Sequence, residues 1–296
     1  MSNNQRLPIV LAHGVARFDI LLELQRQKLN LPDTNLGDKT QYFKGIKSHL
    51  DAHGFEVFHP NQNFAGPLEF RSAQLRDRVN EILSHTGVNK VHIIAHSMGG
   101  LDARHMIVDL GMADRVASLT TIGTPHLGTV LAEHLLNSGG VFLIDVLSRV
   151  IDLNGFEDLT ITACEQFNRR AEEQEASNSV FYQTYSSAED RSAVFAPLIP
   201  SWDLIRDHEG RNDGLVPFRS QQWTRELIAS DGRRKPVVQR DFPVPADHLN
   251  QVGWWDPQEV VTPSLSSFLN LFKVAKDAKD YEGKIKDIYL DIAQNL

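Results

Sequence analysis

The stretch Val91-His92-Ile93-Ile94-Ala95-His96-Ser97-Met98-Gly99-Gly100 constrains this chain more than any other. It begins as a short apolar run with β-branched residues, the pattern of a strand buried on both faces. It then breaks into small residues, and Leu101 to Leu110 reads as a helix. A serine between such a strand and helix sits in a sharp, strained turn that lifts its hydroxyl clear of the sheet. The turn closes only if the residues two before and two after are small, and here they are Ala95 and Gly99. The pattern is therefore A-x-S-x-G in place of the commoner G-x-S-x-G. A serine at this place could simply cap the helix, but the strand–turn–helix context favours a nucleophile.

Strand-like and helix-like segments alternate on either side of it. Leu7 to Ala12 reads as a buried strand, Gln41 to His53 as a helix, and Phe55 to Phe58 as a short strand. Leu68 to Ser84 is a helix with Leu75, Val79, Ile82 and Leu83 on one face, and Val116 to Ile122 is a further strand. This alternation predicts an α/β class, a mostly parallel central sheet with helices on both faces. In such sheets functional residues gather beyond the carboxyl ends of the strands, where His13, Ser97 and Thr124 fall. Later, Val180 to Tyr185 reads as a strand, Leu198 to Asp207 as an irregular, partly helical piece, and Val237-Val238 as part of a short strand. Pro263 to Lys276 and Tyr281 to Ile292 read as two helices, the second with Ile285, Ile288, Tyr289 and Ile292 on one face.

No linker or internal repeat divides the 296 residues, so a single domain, 1–296, is expected. The net charge of −8 disfavours a nucleic-acid backbone as partner. One cysteine, Cys164, allows no internal disulfide and fits a reducing compartment. Residues Met1 to Arg6 lead directly into Leu7 to Ala12 without the character of a signal peptide, so a cytoplasmic location is expected. The oligomeric state is not legible.

Residues 126–160 behave differently from the rest. Val141 to Leu153 confines its polar residues to Asp145, Ser148, Arg149 and Asp152, a narrow stripe on a strongly apolar helix. Gly139-Gly140 before it and Asn154-Gly155 after it give both ends a permissive backbone. The segment is either a buried core helix or a helical lid over a site, and its position past a strand end favours the lid. Leu143 and Leu147 are then candidate substrate contacts, together with His13 and Gly14.

A serine nucleophile needs a histidine to take its proton and a carboxylate to orient that histidine. Five of the twelve histidines follow Ser97. His105 falls in the helix after the serine, and His126 and His134 enter the lid segment, which leaves His208 and His248. Asp213, in the turn Arg211-Asn212-Asp213-Gly214, precedes His248 and follows His208. The set Ser97, Asp213, His248 satisfies the order serine, acid, histidine, which His208 with Asp213 breaks. Asp247 is a competing acid, awkwardly adjacent to His248. Charge developing on an attacked carbonyl oxygen needs two fixed donors. The backbone N–H of Met98 is one candidate, and that of Val15, after His13-Gly14, is the other.

Assembled, these residues resemble the bacterial true lipases of the Pseudomonas, Burkholderia and Proteus type, within the α/β-hydrolase superfamily. The resemblance rests on Pro8 to Gly14 with Phe18-Asp19, Tyr42 to Ile46, Ala95 to Gly100, Ile122 to Thr129, Asn212 to Val216 and Asp247 to Leu249. It implies an α/β-hydrolase fold with a helical lid and hydrolysis of carboxylic esters of lipids through an acyl-enzyme. It also implies Ser97, Asp213 and His248 as the triad, and Val15 and Met98 as the oxyanion donors. Acyl transfer or thioester hydrolysis on the same triad is the alternative, and a non-catalytic binding module a more distant one. Two departures concern the structural calcium common in that family. Its two aspartates correspond to Ile199 and Asn250 here, so neither calcium nor any other cofactor is expected, although Asp203 stands nearby. Lipid or small esters, met at a lipid interface through the lid, are the implied partners.

Overall fold

The computed structural model describes residues 6–14, 41–60, 66–137, 147–148, 155–254 and 268–296, the last stretch with side chains from 279 onward. Its centre is a sheet in which every pairing is parallel. β1 (Ile9–Ala12) lies between β2 (Val57–Phe58) and β3 (Val91–His96). β4 (Val116–Ile122), β5 (Phe181–Ser186) and an edge strand (Val238–Asp241) follow outward from β3. Register puts Ala12 beside Ala95 and His96 beside Ile122, so the chain leaves β1, β3 and β4 at one level of one edge. His13, Ser97 and Gly123 meet there.

Period-two alternation assigns side chains to two cores. Ile9, Leu11 and Ile94 fall in one, and Val10, Ala12, Ile93 and Ala95 in the other, all essentially without solvent contact. The first is covered by α1 (Ile46–Ala52) through Ile46 and Leu50. The second is covered by α2 (Leu68–Thr86) and α3 (Gly99–Val108) through Leu75, Val79, Ala103 and Met106. Burying each such aliphatic side chain stabilises the fold by roughly 1.5–3 kcal/mol.

Several elements differ from the sequence reading. The C-terminal segment is one helix from Phe268 to Gln294, for nothing between Lys276 and Tyr281 breaks it and Gly283 is tolerated inside it. Its Ile285, Ile288, Tyr289 and Ile292 join the first core, as the sequence predicts. The piece after Leu198 is a regular helix, Ile199–Glu209, because Pro200 occupies the first turn, where a missing N–H costs nothing. The helix Ile161–Ser177 was not anticipated, although Cys164, Phe167 and Ala171 share a buried face and Thr160 caps it by accepting from the N–H of Ala163 at 3.2 Å. A small antiparallel hairpin, Glu226–Ile228 with Arg234–Pro236, was also missed. The ends of the 126–160 segment belong to the body of the protein. Helix Val130–Asn137 buries Leu131, Ala132 and Leu135, and Thr129 N–H bonds to the Leu159 carbonyl at 3.0 Å. Leu147 is fully buried, whereas Leu143 and most of the expected helix lie outside the described residues.

One buried ion pair ties α3 to Ile161–Ser177. Arg104 donates to both carboxylate oxygens of Glu175, at 2.8 and 2.9 Å, and both side chains are fully buried. The guanidinium lies 3.8 Å from the Trp223 ring centroid and 4.8 Å from that of Phe167. His126 stacks on the same Trp223 with 4.8 Å between ring centroids and bonds Thr121 Oγ1 at 2.8 Å. Burial, aided by the Arg104 charge, holds His126 well below the ordinary histidine range.

Glu175→Ala strands the Arg104 charge and should cost about 3–5 kcal/mol in urea unfolding, whereas replacing both residues by apolar ones should cost much less. The buried neutral histidines set a pH dependence. Below about 6.5 the unfolded chain takes up protons that folded His126 and His96 refuse, so their contribution is complete above that pH and is lost as pH falls. The melting temperature should therefore drop between pH 7.5 and pH 5, and a His126→Gln variant that still folds should show a smaller drop.

Candidate active site

Ser97 connects β3 to α3 with φ at +57°, a left-handed conformation that a side chain adopts only when its surroundings impose it. Its N–H bonds to the Ile122 carbonyl at 2.9 Å, and its own carbonyl accepts from Thr124 Oγ1 at 2.7 Å. The small residues around it are needed for space. A Cβ on Gly99 would stand 2.5 Å from the His13 carbonyl oxygen, and one on Gly100 2.2 Å from Thr124 Oγ1. One on Gly14 would stand 2.6 Å from Ser97 Cβ. The backbone after β1 is thus pressed directly against the serine.

His248 Nε2 lies 2.8 Å from Ser97 Oγ, and His248 Nδ1 lies 2.8 Å from Asp213 Oδ2. The three residues come from three loops, yet all are buried. His248 is positioned through its backbone too, its N–H bonding the Asp213 carbonyl at 2.8 Å. Asp213 Oδ1 accepts the N–H groups of Leu215 and Val216 at 3.0 and 2.8 Å. Oδ2 accepts, besides His248, the amides of Gln251 at 2.9 Å and Gln221 at 3.2 Å. A carboxylate with this many donors can stay charged without water. The bond from His248 to Oδ2 aims Nδ1–H away from the serine and leaves Nε2 free to accept a proton.

The competing candidates are occupied elsewhere. Asp247 turns from His248 and accepts the N–H groups of Phe195, Leu249 and Asn250 at 2.7–2.9 Å, which pins the histidine loop. Burial pushes its pKa up to about 7 against those three bonds. His208 is exposed and bonds its own helix at Leu204. His13 is buried next to Tyr42, with 5.4 Å between ring centroids. Met98 opens α3, where a helix leaves its N–H groups unbonded. Val15 lies outside the described residues.

Four residues around the triad were missed as site residues: Tyr42, His96, Gln221 and Gln251. Tyr42 Oη lies 2.6 Å from His96 Nδ1, and His96 Nε2 lies 2.9 Å from Gln251 Oε1. The ring of His96 is 4.6 Å from that of His248. The only signal for Gln251 is its place three residues after His248, and that alone does not point to Asp213.

The residues do not fit the calcium site that the lipase resemblance suggests. The Asn250 side chain accepts from Asp247 N–H at 3.3 Å and donates to the Trp254 carbonyl at 2.8 Å. Asp203 forms a two-pronged pair with Arg191, at 2.6 and 2.8 Å, and Ile199 offers no oxygen side chain. Among the described residues no group of three or more His, Cys, Asp or Glu side chains is arranged to hold a metal ion, and no helix is long and apolar enough to cross a membrane.

Residues 8–205 match the family described as the alpha/beta hydrolase fold. A triacylglycerol lipase of Pseudarthrobacter phenanthrenivorans is 35% identical over 162 residues, 53% of this chain and 42% of that protein. One of Burkholderia plantarii is 35% identical over the same length, covering 53% and 37%. Triacylglycerol lipase 2 of Saccharomyces cerevisiae is 27% identical over 285 residues, covering 83% and 80%. The chain thus spans about two fifths of the length of the two bacterial relatives. In fold it is similar to a mature Bacillus licheniformis lipase, with TM-score 0.59, 17% identity and 84% and 87% of the two chains covered. It is likewise similar to a metagenomic carboxyl esterase, with TM-score 0.61, 16% identity and 99% and 77% covered. The family match takes in most of the chain, from β1 past the serine elbow to the helix that begins at Ile199, and the chain belongs to the α/β-hydrolase fold family.

Proposed function

We propose that this protein hydrolyses carboxylic esters of lipids, as a triacylglycerol lipase or carboxylesterase, through an acyl-enzyme. The observation that carries the reading is the continuous hydrogen-bonded line from Ser97 Oγ through His248 to Asp213, built on a strained elbow. The bacterial relatives named triacylglycerol lipase support the substrate class.

Ser97 Oγ attacks the ester carbonyl carbon as its proton passes to His248 Nε2, and the carbonyl π electrons move onto oxygen. Asp213 stabilises the imidazolium that forms and does not itself take the proton. The N–H groups of Met98 and Val15 hold the oxyanion. When the carbonyl re-forms, the ester C–O bond breaks and His248 protonates the departing alkoxide. Water, deprotonated by His248, then releases the acid and regenerates Ser97. Acyl transfer uses the same acyl-enzyme with an alcohol in place of water. The residues supply acid, base and nucleophile, so no cofactor enters the cycle. We place the whole activity on one domain.

Ser97→Ala should lower kcat on p-nitrophenyl esters by about 10⁴-fold or more and abolish labelling by a fluorophosphonate, with the melting temperature nearly unchanged. Activity retained in that variant would remove the reading. Serine-dependent turnover rising from acetyl towards palmitoyl esters assigns a lipase, and turnover confined to short chains assigns a carboxylesterase. Added calcium or chelator should leave both melting temperature and turnover unchanged, because the oxygen ligands are absent or engaged.

A further inference from the structure

The contacts behind the triad form a line with only one consistent direction. Asp213 Oδ2, as a carboxylate oxygen, can only accept, so Gln251 must point its Nε2 at it, at 2.9 Å. That orientation turns Gln251 Oε1 towards His96 Nε2 at 2.9 Å, and an amide oxygen also only accepts, so His96 must carry its proton on Nε2. In the neutral ring His96 Nδ1 is then an acceptor, and Tyr42 Oη–H donates to it at 2.6 Å. Tyr42 Oη in turn accepts from the backbone N–H of Gly14. Every group in this line is buried. Space is reserved for it as well. A Cβ on Gly123 would stand 2.1 Å from Gln251 Oε1, and one on Gly14 2.7 Å from Tyr42 Oη. From the other side Tyr289 Oη donates to the Gln251 carbonyl at 3.1 Å.

We propose that Gln251 is a positioning residue: it holds the triad carboxylate and, through His96 and Tyr42, fixes the backbone at Gly14 to it. The acid and the backbone that leaves β1 at Gly14 are thereby held as one unit. This inference rests on the proposed esterase reading. The line also governs charge. His96 packs 4.6 Å from His248, so a proton on His96 would oppose the imidazolium the reaction requires. A cationic His96 would have N–H groups at both nitrogens and would have to reverse the Tyr42 bond. Burial and the neighbouring His248 both keep His96 neutral. The other titratable groups around this line are Asp213 and Asp247 from the triad loops, His13 and His59 stacked beyond Tyr42, and Tyr289.

The test compares wild type with Gln251→Met, of similar shape without donor or acceptor, and with Tyr42→Phe. Gln251→Met should lower kcat on p-nitrophenyl butyrate about 10-fold or more, since a bond to a charged group is lost, with KM changed less than about twofold. Asp213, deprived of a donor, should then draw the His248 proton more strongly and shift the acid limb of the pH profile upward. Tyr42→Phe, which cuts the line at its far end, should lower kcat by a smaller factor, about threefold. In ¹⁵N spectra of wild type, His96 should show the Nε2–H tautomer from about pH 5 to about pH 8. A wild type that neither turns over ester nor takes the fluorophosphonate overturns the esterase reading. An active wild type whose Gln251→Met pH profile superimposes on its own overturns the positioning role alone. So does a His96 that is Nδ1-protonated or cationic across that range, a result that does not require the variant to fold.

Discussion

The left-handed backbone at Ser97 is the constraint on which the site is built. A non-glycine residue there costs of order 1–3 kcal/mol, and the structure over-determines it from every side. The Ile122 carbonyl takes the Ser97 N–H, Thr124 takes its carbonyl, and the backbone at Gly14 fills the space beside its Cβ. Those holds come from the ends of β4 and β1, the two strands flanking β3, so the strain is distributed into the most deeply buried part of the sheet. The β1–β3–β4 register therefore does more than build a core. It brings His13-Gly14, Ser97 and Thr124 to one level, where a nucleophile and its oxyanion donors must lie.

What was legible in the sequence follows from the same physics. A buried strand that must turn sharply demands alanine and glycines at fixed offsets from Ser97, and the chain order of the triad excludes His208. These are local or ordinal demands, so they leave a mark in one dimension. Gln251, His96 and Tyr42 left no such mark, because their partners are 38, 155 and 54 positions away and any polar residue type looks alike until the loops are folded. The helix Ile161–Ser177 was missed for another reason. Its mean hydropathy is low, and only Thr160 and the three- and four-residue spacing of Cys164, Phe167 and Ala171 betray the buried face. The C-terminal segment was divided at Lys276 to Tyr281, where no glycine or proline stands to stop a helix, and the structure carries one helix through it.

The buried polar systems around Arg104 and around Asp213 solve the same problem differently. Around Arg104 the charge is neutralised by Glu175 and screened by two aromatic faces, and no other donor of the cluster has to be charged. Around Asp213 no Arg or Lys side chain is bonded among the described residues, and the carboxylate is held by two backbone N–H groups, two glutamine amides and a histidine. The difference matches what each must do. A permanent salt bridge would satisfy Asp213 and leave it little further attraction for a positive charge. Neutral donors stabilise the carboxylate while leaving its charge uncompensated, so that the largest gain in attraction comes when His248 becomes cationic.

The loop carrying His248 illustrates how such a site is held where the lipase resemblance would place calcium. A divalent ion fixes a loop by gathering oxygens from separated segments, and its charge repays the cost of burying carboxylates. Here Asp247 gathers N–H groups instead, from Phe195 on one segment and from Leu249 and Asn250 on its own, and Asn250 closes the turn onto Trp254. The geometry is inverted, with a carboxyl group at the centre and N–H donors around it. An asparagine at 250 suits that arrangement better than an aspartate would, since its amide must both accept from Asp247 N–H and donate to the Trp254 carbonyl. An amide in place of a carboxylate at this one position thus removes a negatively charged oxygen and supplies the donor that closes the turn onto Trp254.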